Sequence, residues 1–185
     1  VLGRRENGYH DVRMIMQSIY LYDEVKIKRT KNPGIEIKTN LYFLPTGKEN
    51  IAYKAAEMLI EEFHIEEGVH ITLNKHIPVA AGMAGGSSNA AAVLYGMNKM
   101  FDLKLTQTEL MERGVKLGAD VPYCIMRGTV LAEGIGEELT TLTPMPKCFV
   151  LIAKPPISVS TKVVYEALDS KELVEHPDID GLIEG

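Results

Sequence analysis

Cysteine is scarce in this 185-residue sequence, with Cys124 and Cys148 the only two. Both stand among apolar neighbours and no signal peptide precedes them. That excludes the disulfide framework of a small secreted domain and leads us to expect reduced thiols in a cytoplasm. No apolar run approaches the ~20 residues of a membrane span. A basic excess is missing too. Lys and Arg number 20 against 25 Asp and Glu, for a net charge of −5. A general binder of nucleic acid or of a membrane surface would want a basic patch, so neither partner is expected. The local clusters "GRR" (3–5) and "KIKRTK" (26–31) do not change this, and a solvated strand edge accounts for the second. There is no internal repeat, no low-complexity linker and no initiator Met. Val1 begins in mid-pattern, so the chain is expected to be part of something longer. What is present is an ordinary globular composition, 45% hydrophobic and 24% charged, with enough apolar material for one core.

Hydrophobic periodicity gives the elements. "DEVKIKR" (23–29) alternates with Val25 and Ile27 on one face, a strand. "GIEIKTN" (34–40) repeats the alternation after the turn "KNPG", which predicts a hairpin. "ENIAYKAAEMLIEEF" (49–63) puts Ile51, Ala55, Met58, Leu59 and Phe63 on one helical face. "GVHITLNKHIP" alternates Val69, Ile71 and Leu73 and is a strand. "SSNAAAVLYGMNKMF" (87–101) is helical. "TQTEL" (106–110) is a capping box whose helix Gly118 is expected to end. "GTVLAEGIGEELTTL" reads as two strands around a Gly134–Gly136 turn. "CFVLIAKP" (148–155) is an apolar run of strand length, expected to be buried. "STKVVYEAL" (160–168) is a short helix capped by Ser160 or Thr161. Strands, helix, strand, two helices and strands in this order predict an α+β fold with a mixed or antiparallel sheet. "TPMPK" (143–147) is the expected boundary between domains 1–146 and 147–185.

"PVAAGMAGGSSNAAA" (78–92) carries the chemistry. A strand, then Gly82, Gly85, Gly86, Ser87 and Ser88, then a helix, is the architecture of an anion site. A helix N-terminus has unpaired N–H donors and partial positive charge, and glycine lets a phosphate approach the backbone. No lysine follows Gly86, so this is not a Walker loop, and Ala80 or Ala84 breaks the dinucleotide fingerprint. On spacing alone, a capped helix with a flexible entrance is an equally good reading.

The stretch "PVAAGMAGGSSNAAAVL" resembles the phosphate-binding motif of the GHMP kinases, which include the galactokinases and the homoserine and mevalonate kinases. "LGRRENGYHDVRMIMQSIYLYDEV", "LGADVPYCIMRGTVLAEGIGEEL" and "KPPISVSTKVVYEAL" resemble segments of one branch of that superfamily, in the same order and over essentially the whole chain. The resemblance implies a two-domain GHMP kinase fold. Its N-terminal domain is of the ribosomal-protein-S5-domain-2 type, and 147–185 would begin a ferredoxin-like C-terminal domain. It implies transfer of the γ-phosphate of ATP, with Mg²⁺, to the 2-hydroxyl of a cytidyl diphosphate alcohol in the non-mevalonate isoprenoid route. Nucleotide and substrate would meet in the cleft between domains of a monomer or homodimer.

The same resemblance assigns roles. Pro78, Val79, Ala80, Ala81, Gly82, Met83, Ala84, Gly85, Gly86, Ser87, Ser88 and Asn89 would cradle the ATP phosphates. Asn50 and Ile51 would lie near the adenine, and Lys75 near the nucleotide, although the residue alone reads as a surface lysine. Asp120 in "GADVP" would be the catalytic acid–base. From the residues alone it is a helix cap, with Pro122 pushing Val121 toward an extended conformation. Tyr9 and His10 would hold the cytosine, with Tyr165 on its other face and Thr161 touching the substrate. His64, His70, His76 and His176 show no metal-ligand spacing, and no metal ligand is assigned. A substrate-side lysine is expected on a strand before Val1, and a late glycine-rich motif beyond Gly185. Two alternatives stay open. One is a GHMP kinase of the homoserine or mevalonate type; it would not need the aromatic pair. The other is a non-catalytic module of this fold, against which the acidic balance and Asp120 weigh.

Overall fold

Alternating apolar and polar residues build the strands of this chain, and in a computed structural model those among the described residues form three small sheets. The structure describes residues 1–155, 160–170 and 176–184. In chain order its elements are β1 (Gly3–Arg4), β2 (His10–Asp11), β3 (Met14–Gln17), β4 (Glu24–Thr30), β5 (Ile35–Thr39), α1 (Ile51–Glu62), β6 (Gly68–Asn74), α2 (Gly85–Met100), α3 (Gln107–Gly114), α4 (Val121–Met126), β7 (Thr129–Glu133), β8 (Glu138–Thr141), α5 (Thr161–Asp169) and α6 (Ile179–Glu184). They divide into two compact units, one of Tyr20–Val79 with Met83–Met126, the other of Val1–Ile19, Ala80–Gly82 and Arg127–Gly185. Among the described residues no helix is long and apolar enough to cross a membrane.

The first of these units holds the main core. Its sheet has the order β4-β6-β5, with β4 antiparallel and β5 parallel to β6. The hairpin expected between "DEVKIKR" and "GIEIKTN" does not form, because β6 lies between the two strands. The reason is composition. Val69, Ile71 and Leu73 of β6 are fully buried, while β4 and β5 carry Lys26, Lys28, Glu36 and Lys38 on their outer face. The most apolar strand takes the centre and the charged strands guard the edges. One face of the sheet packs on α1 through Ala52, Ala55, Ala56 and Leu59, and on α2 through Ala90, Val93, Leu94 and Met97. Each fully buried Val, Leu or Met side chain there contributes about 1.5–3 kcal/mol, and each alanine methyl about 0.8 kcal/mol. α2 also packs closely on β4, since a Cβ at Gly96 would stand 2.7 Å from Ile27 Cδ1.

Helix ends follow their chemistry. α3 has the full capping box between Thr106 and Glu109, and it ends at Gly114, one turn before the expected Gly118. A Cβ at Gly114 would meet Val121 Cγ1 at 2.9 Å, so α4 packs where a longer side chain would stand. Val121 is the first residue of α4 and not extended as expected. Pro122 sits in the opening turn, where its missing N–H is not needed.

In the other unit, β1 and β2 pair antiparallel, and β7 lies between β3 and β8. The β7–β8 hairpin turns through Gly134 (φ 67°) and Gly136 (φ 110°), as the sequence predicts. Val130, Leu131 and Ala132 of β7 are buried. The expected buried strand at "CFVLIAKP" is not there. Residues 148–155 are irregular and exposed, Cys148 included. A strand exists only by pairing, and among the described residues no strand pairs with this run. α5 begins at Thr161 with Ser160 at its cap position, but the Ser160 side chain makes no capping bond.

Candidate functional site

The glycine segment connects β6 to α2 through a chain of left-handed residues. Ala80 (φ 53°), Gly82 (φ 67°) and Ala84 (φ 50°) all have positive φ. Alternation of left- and right-handed residues is the backbone pattern in which anion nests are found. α2 starts at Gly85, two residues earlier than expected, and Ala84 caps it with no side-chain hydrogen bond. The N–H groups of Gly85, Gly86 and Ser87 open a sixteen-residue helix, with no acceptor of their own inside it and the positive end of its dipole behind them. Ile51 comes to this entrance, its Cδ1 standing 3.4 Å from where a Cβ on Gly86 would be. Asn50 caps α1 by accepting from the Ala52 N–H at 2.9 Å and donates to the Pro45 carbonyl at 2.8 Å.

The glycines have separate reasons. Gly82 needs its positive φ. A Cβ on Gly85 would meet Ile77 Cγ2 at 3.0 Å and Lys75 Nζ at 3.4 Å. Packing behind the loop therefore favours glycine at position 85, before any ligand is considered.

Lys75 is not a surface lysine. Its side chain is 5% exposed and pairs with Asp23, itself 1% exposed. The Lys75 ammonium donates to an Asp23 carboxylate oxygen, to the Gly85 carbonyl at 3.1 Å and to Asn89 Oδ1 at 2.7 Å. Asn89 donates to Asp23 Oδ2 at 3.0 Å, and Asp23 Oδ1 accepts from the N–H groups of His76 at 2.6 Å and Ile77 at 2.8 Å. Burial works to raise the Asp23 pKa. The bonds from Lys75, Ile77, His76 and Asn89 outweigh it and hold the carboxyl below its usual value. The Asn89 side chain, expected in the phosphate cradle, is thus committed to a buried ion pair. Ser88 Oγ likewise donates to the Gly85 carbonyl at 3.0 Å, while Ser87 makes no side-chain bond among the described residues. Asp23 was missed from the sequence. The signal is register: β4 Glu24 pairs with β6 Asn74, which sets Asp23 beside Lys75.

Asp120 immediately precedes α4, and its carbonyl accepts from the Cys124 N–H at 3.1 Å. Its carboxylate is half-buried and has no hydrogen bond or ion pair among the described residues. Burial alone raises its pKa. A carboxylate so placed holds a proton more readily than one in water, which suits a general base.

Tyr9, His10 and Tyr165 belong to the other unit. Tyr9 follows Gly8 (φ 85°) and its ring is exposed. His10 is buried, with Nε2 2.7 Å from Asp169 Oδ1, and Arg4 holds the other Asp169 oxygen at 3.3 Å. His10 and Tyr165 stack directly, centroids 4.3 Å apart and 23° from parallel. The expected arrangement had a base between them, whereas here the rings touch and leave no gap. Thr161 opens α5, and its side chain lies outside the described residues. Among the described residues no group of three or more His, Cys, Asp or Glu could hold a metal ion.

Residues 50–128 match the family described as the GHMP kinases N terminal domain. The chain is similar to that family over this stretch, which is less than half of its length. It is 60% identical over 184 residues to the 4-diphosphocytidyl-2-C-methyl-D-erythritol kinase of Lachnoclostridium phytofermentans, and 58% identical to that of Lachnospira eligens. These alignments cover all of this chain but 63% and 64% of the relatives' lengths. A crystal structure of 4-(cytidine 5'-diphospho)-2C-methyl-D-erythritol kinase matches with TM-score 0.74 and 29% identity, over 98% of this chain and 64% of that one. The homoserine kinase of Cytophaga hutchinsonii shares the fold at TM-score 0.65 and 21% identity, over 82% of this chain and 53% of that one. The family match runs from the Asn50 cap through the glycine segment to Asp120 and α4, all within one stretch of the chain.

Proposed function

We propose that this protein transfers the γ-phosphate of ATP to the 2-hydroxyl of 4-diphosphocytidyl-2-C-methyl-D-erythritol, in the non-mevalonate route to isoprenoid precursors. The observation that carries the reading is the uncapped entrance of α2 behind three left-handed residues, in a chain 60% identical to a kinase of that name. The N–H groups of Gly85, Gly86 and Ser87 bind the phosphates, and Asn50 and Ile51 lie toward the adenine. Asp120 takes the proton of the 2-hydroxyl, whose oxygen attacks the γ-phosphorus as the bond to the β-phosphate oxygen breaks and ADP departs. Mg²⁺, bound with the nucleotide, would supply neutralisation of charge on the transferring group, and no side chain of this chain is assigned to hold it. Tyr9 supplies one stacking face for the cytosine. Tyr165 supplies the other once it leaves His10, and Thr161 contacts the substrate.

Residues 1–146 are assigned to the N-terminal nucleotide-binding domain and 147–185 to the second domain. A cytoplasmic setting fits two cysteines that are outside any disulfide. Asp120→Asn tests the mechanism. It lowers kcat by at least about 10²-fold and leaves the affinity for Mg·ATP little changed. Near-normal turnover by the folded variant overturns the base assignment. ATP consumption that is equal with the cytidyl alcohol, homoserine and mevalonate overturns the substrate.

A further inference from the structure

We infer that Asp23, Lys75 and Asn89 are positioning residues that set the first turn of α2 for phosphate binding. The inference rests on the nucleotide reading above. The cluster ties together chain segments that are distant in sequence: the residue before β4, the exit of β6, and the opening of α2. Every polar atom in it is used. The Lys75 ammonium spends its three N–H groups on Asp23, the Gly85 carbonyl and Asn89. Asp23 accepts from Lys75, Asn89 and two backbone N–H groups.

An ion pair this deeply buried does little for stability compared with apolar residues of the same volume. Its geometry gives it a different use. Lys75 is the only side chain among the described residues that reaches from the exit of β6 to the Gly85 carbonyl, in the first turn of α2. Through it, the strand exit and the helix entrance are held in one arrangement. Both anchors and the first turn of α2 belong to the same compact unit, so the orientation of the first-turn N–H groups depends on both anchors. The lysine charge is neutralised by Asp23, so its contribution to an anion is placement rather than attraction.

The test is the double variant Asp23→Asn with Lys75→Met. It removes both charges together, keeps an oxygen for the His76 and Ile77 N–H groups, and keeps the lysine's stem volume. Three readouts are taken: thermal melting, hydrogen exchange of the Asn89 amide without nucleotide, and Mg·ATP affinity with steady-state kinetics. The melting temperature stays near wild type. Exchange at Asn89 accelerates. KM for ATP rises about tenfold while kcat and KM for the cytidyl alcohol hardly move, as expected when donors are displaced rather than lost. A folded double variant with wild-type exchange and wild-type ATP affinity overturns the inference. Wild-type protein that fails to bind Mg·ATP overturns instead the nucleotide reading on which it rests. If the double variant does not fold, Asn89→Ser decides. That substitution leaves the ion pair in place, and unchanged ATP affinity in it overturns the positioning role.

Discussion

Gly85 and Gly86 are neighbours in the same turn of α2, yet alanine at the two positions has opposite consequences. At Gly86 a Cβ stands 3.4 Å from Ile51 Cδ1, an ordinary contact with the flexible end of a side chain. Nothing must move, and the helix gains because alanine restricts the unfolded chain. Stability rises by about 0.4–1 kcal/mol, which at about 2–4 °C per kcal/mol for a chain of this size is a Tm increase of about 1–4 °C. At Gly85 the Cβ meets Ile77 Cγ2 at 3.0 Å and Ile77 Cβ at 3.3 Å. Ile77 is β-branched and stiff at χ1, and its Cβ is fixed to the backbone, so it cannot step aside. Overpacking of this kind costs about 1–3 kcal/mol. The propensity gain offsets part of it, and the net loss reaches about 2 kcal/mol. Lys75 Nζ, at 3.4 Å from the same Cβ, is in ordinary contact and need not move, so the cost falls on Ile77. Thermal melts and calorimetric titration with Mg·ATP on both variants read the difference. Gly86→Ala melts at or above wild type and Gly85→Ala below it. A Gly86→Ala protein less stable than Gly85→Ala refutes the packing argument. A stable Gly86→Ala protein with ATP affinity far below that of Gly85→Ala means that ligand, not protein, occupies the space at that glycine.

Two further outcomes follow from the sites. Because burial raises the Asp120 pKa, the folded state binds that proton more tightly than the unfolded chain. The ionised carboxylate therefore opposes folding above its folded pKa, and the opposition fades as pH falls through that value. Asp120→Asn consequently melts at or above wild type at pH 7, with the advantage shrinking toward acid, and a lower Tm at neutral pH contradicts the burial account. Tyr165→Ala raises KM for the cytidyl alcohol by the equivalent of about 1–3 kcal/mol and leaves KM for ATP unchanged. A defect confined to ATP places Tyr165 on the wrong ligand.

Local patterns were legible in the sequence, and their failures are failures of pairing. Helix α1, strand β6 and the capping box at Thr106 are set by residues within a turn or two of each other, and they stand where periodicity puts them. The hairpin of β4 with β5 was the natural reading of two alternating runs joined by "KNPG". Local turn chemistry, however, does not count the apolar residues of a strand thirty positions later that competes for the same edge. β6 wins that edge because it has three fully buried aliphatics on one face and no charge among them. The run at Cys148 is the reverse case: its composition is strand-like, but without a described partner it has no ladder to join. The same dependence hid Asp23 and Lys75. A lysine three residues before a proline at the mouth of a loop reads as solvated, since a lone buried ammonium is costly. Its burial becomes intelligible only when the β4–β6 register brings a carboxylate to it. The glycine segment shows the same limit from the other side. Its composition points to close backbone approach, and left-handed φ at Gly82 agrees. The sequence cannot separate that cause from the approach of Ile77 to Gly85, which is a contact with the protein's own interior. A glycine in such a motif can answer to a ligand or to the fold, and the 3.0 Å approach of Ile77 to a Cβ at Gly85 is a constraint of the second kind, which distances within the chain reveal.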